Sequence, residues 1–231
     1  MDWKDVCAVD TSASKADFET DVWDDDNSCN YSSDGTKLLD AENFPYIVKV
    51  RPGTRIICDR AFAFQDYMAD RRIGEKIPEE ERVSTLEKIF LPEGLTHIGR
   101  EAFLECGWMK GLRLPSSLQY IGASAFCYCW ELSSLSCPSS LVAIGDDAFS
   151  NCVSLEKVRL DTGLKAIGAG VFFGCDSLSQ ITLPSELEFI GEDAFGCCES
   201  LKRIFVEESG LEKFRSLLPG TLHSLLRVSH R

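Results

Sequence analysis

A period of 23 residues governs most of this chain. An Ile-Gly pair recurs at that spacing from Ile98-Gly99 to Ile190-Gly191, and a phenylalanine follows each glycine by four residues. A fixed period of this length is typical of one supersecondary unit stacked many times, because a single unit cannot bury its own apolar face. The sequence therefore predicts a solenoid, and a binding scaffold rather than an enzyme. Five cysteines keep the same register: Cys106, Cys129, Cys152, Cys175 and Cys198.

The repeat unit reads L-x-x-I-x-L-P-x-x-L-x-x-I-G-x-x-A-F-x-x-C-x-x, as from Leu178 to Ser200. It closely resembles the BspA-type leucine-rich repeat, also called the Treponema pallidum type, over five units from Leu86 to Ser200. A diverged earlier copy runs from Val48 to Phe62. The resemblance implies an α/β solenoid, a right-handed leucine-rich repeat array with a parallel concave β-sheet, short convex elements and a C-terminal helical cap. It also implies adhesion or protein recognition, with many members on microbial surfaces.

The domain boundaries follow from where the period begins and ends. Residues 1–36 are predicted as an acidic N-terminal arm, partly disordered, that can dock as a cap. Residues 37–208 form the solenoid, in which 66–84 is a charged insertion and 86–200 holds the five regular repeats. The insertion is predicted as a surface loop, either functional or simply tolerated. Residues 209–231 form a C-terminal cap, and Ser209 to Glu212 has the pattern of a capping box.

Two local turns are also predicted. Asp34-Gly35 has the composition of a hairpin turn between two short strands. The glycine after each repeat isoleucine is predicted to adopt a positive φ in a tight turn.

Composition limits the partners and the compartment. The formal charge of −13 argues against generic affinity for nucleic acid or anionic membranes. No run of 18 apolar residues predicts a membrane span, and the first residues lack the apolar stretch of a signal peptide. The family resemblance favours a secreted or cell-surface protein, whereas many unpaired cysteines favour a reducing compartment. The localisation is therefore left open.

The eleven cysteines do not predict a disulfide framework. Five of them form a ladder at one repeat position, where cysteine can act as a small buried hydrophobe. Stacked neighbours are expected about 5 Å apart, so disulfides between repeats are possible but not required.

The strand of each repeat predicts a candidate binding surface. The L-x-x-I-x-L stretch alternates, so its fourth and sixth side chains point inward and its third and fifth point outward. In a parallel stack the outward side chains align as columns on one concave surface about 30 Å long. The columns hold basic residues and no acidic ones. The predicted ligand-binding residues are Lys49, Lys88, Phe90, Arg113, Lys157, Arg159, Arg203 and Phe205.

Other interpretations stand beside this one. Long basic side chains are common on exposed strands because they discourage unwanted association. The acidic arm could fold over the same surface as a built-in competitor. Trp108 and Trp130, which follow two ladder cysteines, are possible partner contacts; they could instead plug the loop beneath them.

No catalytic, cofactor or metal motif accompanies the repeats. His97, His223 and His230 lack a paired nucleophile, and the cysteine pairs lack the C-x-x-C spacing of zinc sites. The sequence predicts a monomeric, non-enzymatic module without cofactor that binds a protein, an acidic polymer or a glycan. The alternative is a structural or adhesive spacer whose loops make the contacts.

Overall fold

The repeat folds as a stack of layers, and most layers contribute two short strands. A computed structural model describes residues 3–42, 44–63 and 86–229. The insertion predicted at 66–84 lies outside these ranges. The solenoid predicted from the period is confirmed by the parallel pairing of strands one repeat apart.

The N-terminal segment forms an ordered cap on the first layer. It contains helices α1 (Trp3–Cys7) and α2 (Lys15–Glu19) and strands β1 (Val22–Asp24), β2 (Cys29–Tyr31) and β3 (Lys37–Ala41). Strands β1, β2 and β3 pair antiparallel, and β3 then pairs in parallel with the first repeat. The hairpin predicted at Asp34-Gly35 is confirmed, because Gly35 has φ 71° and Asp34 accepts hydrogen bonds from Thr36.

The repeats supply the remaining strands of the stack. In chain order these are β4 (Ile47–Lys49), β5 (Ile56–Ile57), β6 (Lys88–Phe90), β7 (His97–Ile98), β8 (Tyr120–Ile121), β9 (Ser134–Ser136), β10 (Ala143–Ile144), β11 (Lys157–Arg159), β12 (Ala166–Ile167), β13 (Gln180–Thr182), β14 (Phe189–Ile190) and β15 (Arg203–Val206).

These strands form two kinds of sheet. The two-residue strands that end at the repeat isoleucine join the cap in one nine-stranded sheet, ordered β1-β2-β3-β5-β7-β8-β10-β12-β14. The L-x-x-I-x-L strands pair in shorter pieces: β4 with β6, β9 with β11, and β13 with β15. The parallel sheet expected from these latter strands is therefore present but interrupted. The continuous sheet was not predicted, because two residues are too few to show an alternating pattern.

The repeat glycines allow close approach between layers, and the prediction of a positive φ at these positions is wrong. Gly99, Gly122, Gly145, Gly168 and Gly191 are absent from the residues with positive φ. A Cβ at Gly145 would lie 2.6 Å from the backbone nitrogen of Ala123, and one at Gly191 would lie 2.2 Å from that of Ala169. The turn of each repeat thus packs directly on the backbone of the turn before it.

The left-handed residues stand elsewhere in the turn, in two columns. One column lies two residues after each repeat glycine, and the other directly precedes each ladder cysteine; their φ values run from 51° to 66°. Their members are Glu101, Ser124, Asp147, Gly170 and Asp193 in the first column, and Glu105, Tyr128, Asn151, Gly174 and Cys197 in the second.

The core is a set of ladders along the stack. Phe62, Phe103, Phe126, Phe149, Phe172 and Phe195 stack face to face, with ring centroids 5.0–6.0 Å apart and interplanar angles of 5–14°. Each ladder cysteine donates its thiol hydrogen to the backbone carbonyl of the phenylalanine in the layer before it, over 3.0–3.5 Å. The phenylalanine lies 26 residues earlier for four of them, and 44 residues earlier for Cys106, whose partner is Phe62. The cysteines therefore satisfy buried carbonyls as well as filling space.

The C-terminal cap combines a helix with one more strand. A 3₁₀ turn at Glu208–Gly210 leads into α3 (Leu211–Leu217), which buries Phe214 against the last repeat. The predicted helix is confirmed, but the capping box is wrong: the N-cap is Gly210 and no side chain caps the helix. Beyond a 3₁₀ helix at Gly220–Leu225, β16 (Leu226–Val228) pairs in parallel with β15, which the sequence did not predict.

Candidate functional site

The outward columns of the L-x-x-I-x-L strands form one surface of the stack. The predicted alternation is confirmed: in β6, β9 and β13 the middle residue is buried and both neighbours are exposed. We use the name basic face for the side chains of Lys49, Lys88, Phe90, Arg113, Lys157, Arg159, Arg203 and Phe205. All of these are exposed except Phe205, which is half-buried.

Strand register decides which of these side chains are neighbours. Lys157 pairs with Ser134 and Arg159 with Ser136 across β9 and β11, and Lys49 pairs with Phe90 across β4 and β6. Across β13 and β15 the partners are Gln180 and Arg203, and Thr182 and Phe205. The cations are thus separated by small hydroxyl and amide side chains rather than by carboxylates.

The six cations of the basic face are all exposed. Within the described ranges, none of its six Lys and Arg residues forms a salt bridge. The ammonium of Lys88 lies 4.8 Å from the centre of the Phe90 ring. Glu156, exposed at the start of β11, is an acidic neighbour on the rim.

A depression of about 390 Å³ lies in the middle of this surface. Its floor is apolar, from Leu112, Leu135, Val158 and Ile181, and its walls carry charge and hydroxyl groups. It sits where β11 and β13 approach each other without pairing as strands. The wall residues are Ser134, Ser136, Glu156, Lys157, Arg159, Gln180 and Thr182.

The N-terminal cap touches the basic face only at its first layer, as far as the described contacts show. The Asn27 side chain accepts a hydrogen bond from the Lys49 backbone N–H at 2.8 Å, and Asp24 forms an ion pair with Arg51 at 2.9 Å. Helix α1 instead contacts β10, on the nine-stranded sheet. The acidic segment therefore does not cover Lys157 and Arg159, and the hypothesis of a built-in competitor is wrong for this conformation.

Trp108 and Trp130 lie on a different surface, beside the ladder cysteines. Each is 49% exposed. The Trp130 ring rests on Gly107 of the preceding repeat, where an added Cβ would lie 2.4 Å from its Cε3 atom. Tyr128 is 40% exposed and its ring centre is 6.4 Å from that of Trp130. Tyr128 was not among the predicted partner contacts, although its position two residues before Trp130 in the same turn could have indicated it.

The buried thiols are poorly suited to nucleophilic chemistry. None of the eleven cysteines, all of which lie in the described ranges, forms a disulfide. Burial raises the pKa of Cys58 and of Cys137 to about 12, and it raises the pKa of Cys129 well above its usual value. A buried thiol at neutral pH therefore stays protonated, and the thiolate that attacks substrates or binds metals is not formed. Within residues 3–42, 44–63 and 86–229, no three His, Cys, Asp or Glu side chains group as a metal site.

Comparisons with known proteins agree with this architecture. A model described as the BspA type leucine rich repeat region matches residues 96–216 in six copies. No curated protein matches the chain. In the part of the chain that the structure describes, no helix has the length and apolar character needed to cross a bilayer.

Three solved structures show the same fold at low sequence identity. A T. pallidum leucine-rich repeat protein is 22% identical, with a TM-score of 0.65 over 84% of this chain and 94% of its own. A leucine-rich repeat protein from Bacteroides ovatus is 23% identical, with a TM-score of 0.59 over 83% of this chain and 54% of its own. A leucine-rich cell surface protein from Faecalibacterium prausnitzii is 22% identical, with a TM-score of 0.54 over 80% and 54%. The chain spans about half the length of the latter two.

Proposed function

The chain belongs to the BspA-type leucine-rich repeat family, as its repeat unit predicted, and we propose that its basic face binds the acidic groups of a protein or polymer. Proteins of this family are generally non-catalytic recognition modules, commonly used in protein interaction or adhesion. The observation that carries the proposal is the segregation of charge. A chain of formal charge −13 presents six Lys and Arg residues along one set of strands.

The arrangement of these cations favours an extended ligand. They are distributed over strands β4, β6, β11 and β15 and the Arg113 segment, so a partner must lie along the stack to meet several of them. Parallel strands repeat about every 4.8 Å. An acidic peptide or a sulfated glycan has anionic groups at comparable intervals.

The central depression gives the strongest local attraction. Lys157 and Arg159 stand there on one strand, and the hydroxyl groups of Ser134 and Ser136 lie on the next. Arginine binds carboxylate or sulfate through two parallel hydrogen bonds, and lysine supplies a compact charge beside it.

Retention on a heparin column tests this proposal. We expect the native chain to bind at low ionic strength and to elute as salt is raised, because counterions compete with the polyanion. The Lys157→Glu/Arg159→Glu variant should pass through unretained. The matched control is Lys15→Glu/Arg55→Glu, which makes the same change of charge at exposed positions outside the basic face.

The chromatography runs of the native chain and the two variants together decide the outcome. Retention of the native chain and the control, with loss in the Lys157/Arg159 variant, supports recognition of anions at the basic face. Equal loss of retention in both variants would show that the net charge of the protein alone determines heparin binding. Flow-through of the native chain would contradict the polyanion proposal and direct attention to the loops, as in a spacer whose contacts lie elsewhere.

A further inference from the structure

A second exposed surface carries three aromatic rings that the basic face does not involve. We use the name aromatic patch for Trp108 on one layer and Tyr128 and Trp130 on the next, all beside the ladder cysteines. Their exposed fractions are 49%, 40% and 49%. Leaving three large rings partly in water forfeits much of the stabilisation that their burial would provide.

The other repeats act as an internal control for these positions. Each aromatic residue has equivalents at multiples of 23 residues, and those equivalents are small or polar in most layers. The stack therefore does not require aromatic side chains there. The equivalents are Glu131, Ser154, Ser177 and Ser200 for Trp108; Glu105, Asn151, Gly174 and Cys197 for Tyr128; and Gly107, Val153, Asp176 and Glu199 for Trp130.

Tyr128 also stands in an unfavourable backbone conformation. Its φ is 60°, in the left-handed region. Glycine and asparagine adopt this region readily, as Gly174 and Asn151 do in the same column, whereas a bulky aromatic residue does so at a cost. Because the Tyr128 ring is partly exposed, its packing offsets little of this cost. This points to a role for the ring in binding rather than in stabilising the fold.

The Trp130 ring packs into a space above Gly107 of the preceding repeat. Gly107 leaves the space that the indole occupies, because any Cβ at that position would collide with it. The Gly107 carbonyl also accepts a hydrogen bond from the Glu131 backbone N–H at 3.0 Å, which fixes the two turns together. The indole and the Tyr128 ring meet at 66°, so they form a corner with two exposed ring faces or edges.

Carboxylates are interleaved with these rings. Glu105 precedes Tyr128 in one column and Glu131 follows Trp108 in another, and both are exposed. Burial is the main cause of the raised pKa of Cys127. The nearby charges of Asp147, which is exposed on the next layer, and of Glu105 raise that pKa further. Lys110 is the basic residue nearest in sequence, at the start of the next strand segment.

We propose that the aromatic patch binds arginine side chains of a basic, extended peptide segment of a partner protein. A guanidinium group stacks on the face of an indole or phenol ring, and its edges remain free to pair with Glu105 and Glu131. The excess negative charge of the chain attracts such a segment from a distance. This ligand has the opposite charge from that expected at the basic face, so the two surfaces are independent.

Titration with a synthetic peptide, Ac-(Arg-Gly)4-amide, tests the proposal by calorimetry and tryptophan fluorescence. We expect Trp108→Ala/Trp130→Ala to weaken binding by roughly tenfold, since each exposed cation–π contact contributes a few-fold. Glu105→Gln/Glu131→Gln should also weaken binding. The matched control is Asp176→Asn/Glu199→Gln, which removes two charges from the Trp130 column in later repeats and should bind like the native chain. A lysine peptide of equal charge should bind more weakly than the arginine peptide.

Tyr128→Asn separates binding from folding. It places at residue 128 the side chain that residue 151 already carries in the same conformation. We expect a variant with a melting temperature equal to or above that of the native chain and with weaker peptide binding. This variant decides the question if the double tryptophan variant does not fold.

Three results would overturn the proposal. Equal losses in the Glu105/Glu131 variant and the Asp176/Glu199 control would reduce binding to general electrostatics. Unchanged binding in the tryptophan and tyrosine variants would remove the rings from the site. Quenching by a neutral oligosaccharide such as chitohexaose, dependent on the tryptophans but indifferent to Glu105 and Glu131, would identify a glycan platform instead.

Discussion

At the scale of single residues, the repeat glycines and cysteines fulfil different requirements of the stack. The glycines have ordinary φ angles, and their role is to let one turn rest on the backbone of the turn before it. The cysteines bridge the same layers by donating to phenylalanine carbonyls. Both roles depend on the layer beneath, so neither can be read from one repeat alone.

Gly145→Ala should therefore be strongly destabilising. The added Cβ would lie 2.6 Å from the Ala123 nitrogen, and its three nearest atoms are all backbone, which cannot move aside easily. We expect the free energy of unfolding to fall by about 2–3 kcal/mol, as for other overpacked interiors. Urea denaturation measures it. Gly111→Ala is the control, because a Cβ there meets nothing within 4 Å; equal losses in the two variants would contradict the close-approach argument.

The burial of the thiols predicts how they react. Cys197 is the exposed cysteine, Cys7 and Cys198 are half-buried, and the other eight are buried. In the native protein a thiol-specific chromogenic reagent should modify Cys197 quickly, the half-buried pair slowly, and the rest only after unfolding. Loss of the fast phase in Cys197→Ser is expected. Rapid reaction of a ladder cysteine would show that the stack opens. Buried thiols of this kind tolerate an oxidising environment, so the number of cysteines alone does not decide the compartment.

At the scale of elements, α1 packs against the nine-stranded sheet at β10. Val6 is its buried side chain, at 2% exposure, while Lys4 and Asp5 face solvent. Beneath it His97 is 6% exposed, with its Nδ1 2.9 Å from the Thr96 hydroxyl. A five-residue helix has little stability of its own, so this contact decides whether the segment stays docked.

Acidification should loosen α1. Burial lowers the pKa of His97 below its ordinary 6.5, with the Val6 backbone as a weaker opposing influence. Tyr120 and Cys7 beside it stay neutral, because burial raises the pKa of both. The docked form thus favours neutral His97, and the free form gains a proton as pH falls through 6.5. Hydrogen–deuterium exchange of residues 3–12, corrected for intrinsic rates, should increase when the pH is lowered from about 7.5 to about 5.5. The His97→Gln substitution should abolish that increase.

The elements also show how far sequence reasoning reaches. Long-range periodicity predicted the solenoid, the inward Ile181 and the outward Lys157, because every layer repeats the same pattern. It missed the two-residue strand His97–Ile98 and the strand Leu226–Val228, because such short strands depend on tertiary pairing rather than on a local sequence pattern. The central depression was missed for a related reason: it depends on how two successive strands fail to pair.

At the scale of the whole molecule, the charge is both segregated and unbalanced. Carboxylates exceed cations by 13, while one set of strands carries the basic face. Like charges repel across the compact chain, and exposed ion pairs between described residues, such as Arg215 with Glu212 at 2.9 Å, contribute little.

Salt should therefore act in opposite directions on folding and on anion binding. Raising sodium chloride from about 10 to about 150 mM shortens the screening length and weakens the net repulsion. We expect the melting temperature to rise by a few degrees while retention on heparin falls. Scanning fluorimetry across the salt series measures the first effect, with an equal osmolality of sucrose as the control. A melting temperature that falls with chloride would indicate that specific ion pairs outweigh the repulsion.

Because of the thiol-to-carbonyl contacts along the stack, the length of the solenoid can change only by whole repeats. Between regular repeats each such contact spans 26 residues, and each strand pairing spans 23. Excising one whole unit, such as residues 123–145, would bring together surfaces that already match their counterparts. Loss of a single residue would instead shift the phenylalanine, cysteine and glycine columns of all later layers out of alignment. Such a molecule can grow or shorten by complete steps while keeping the spacing of whatever its faces display.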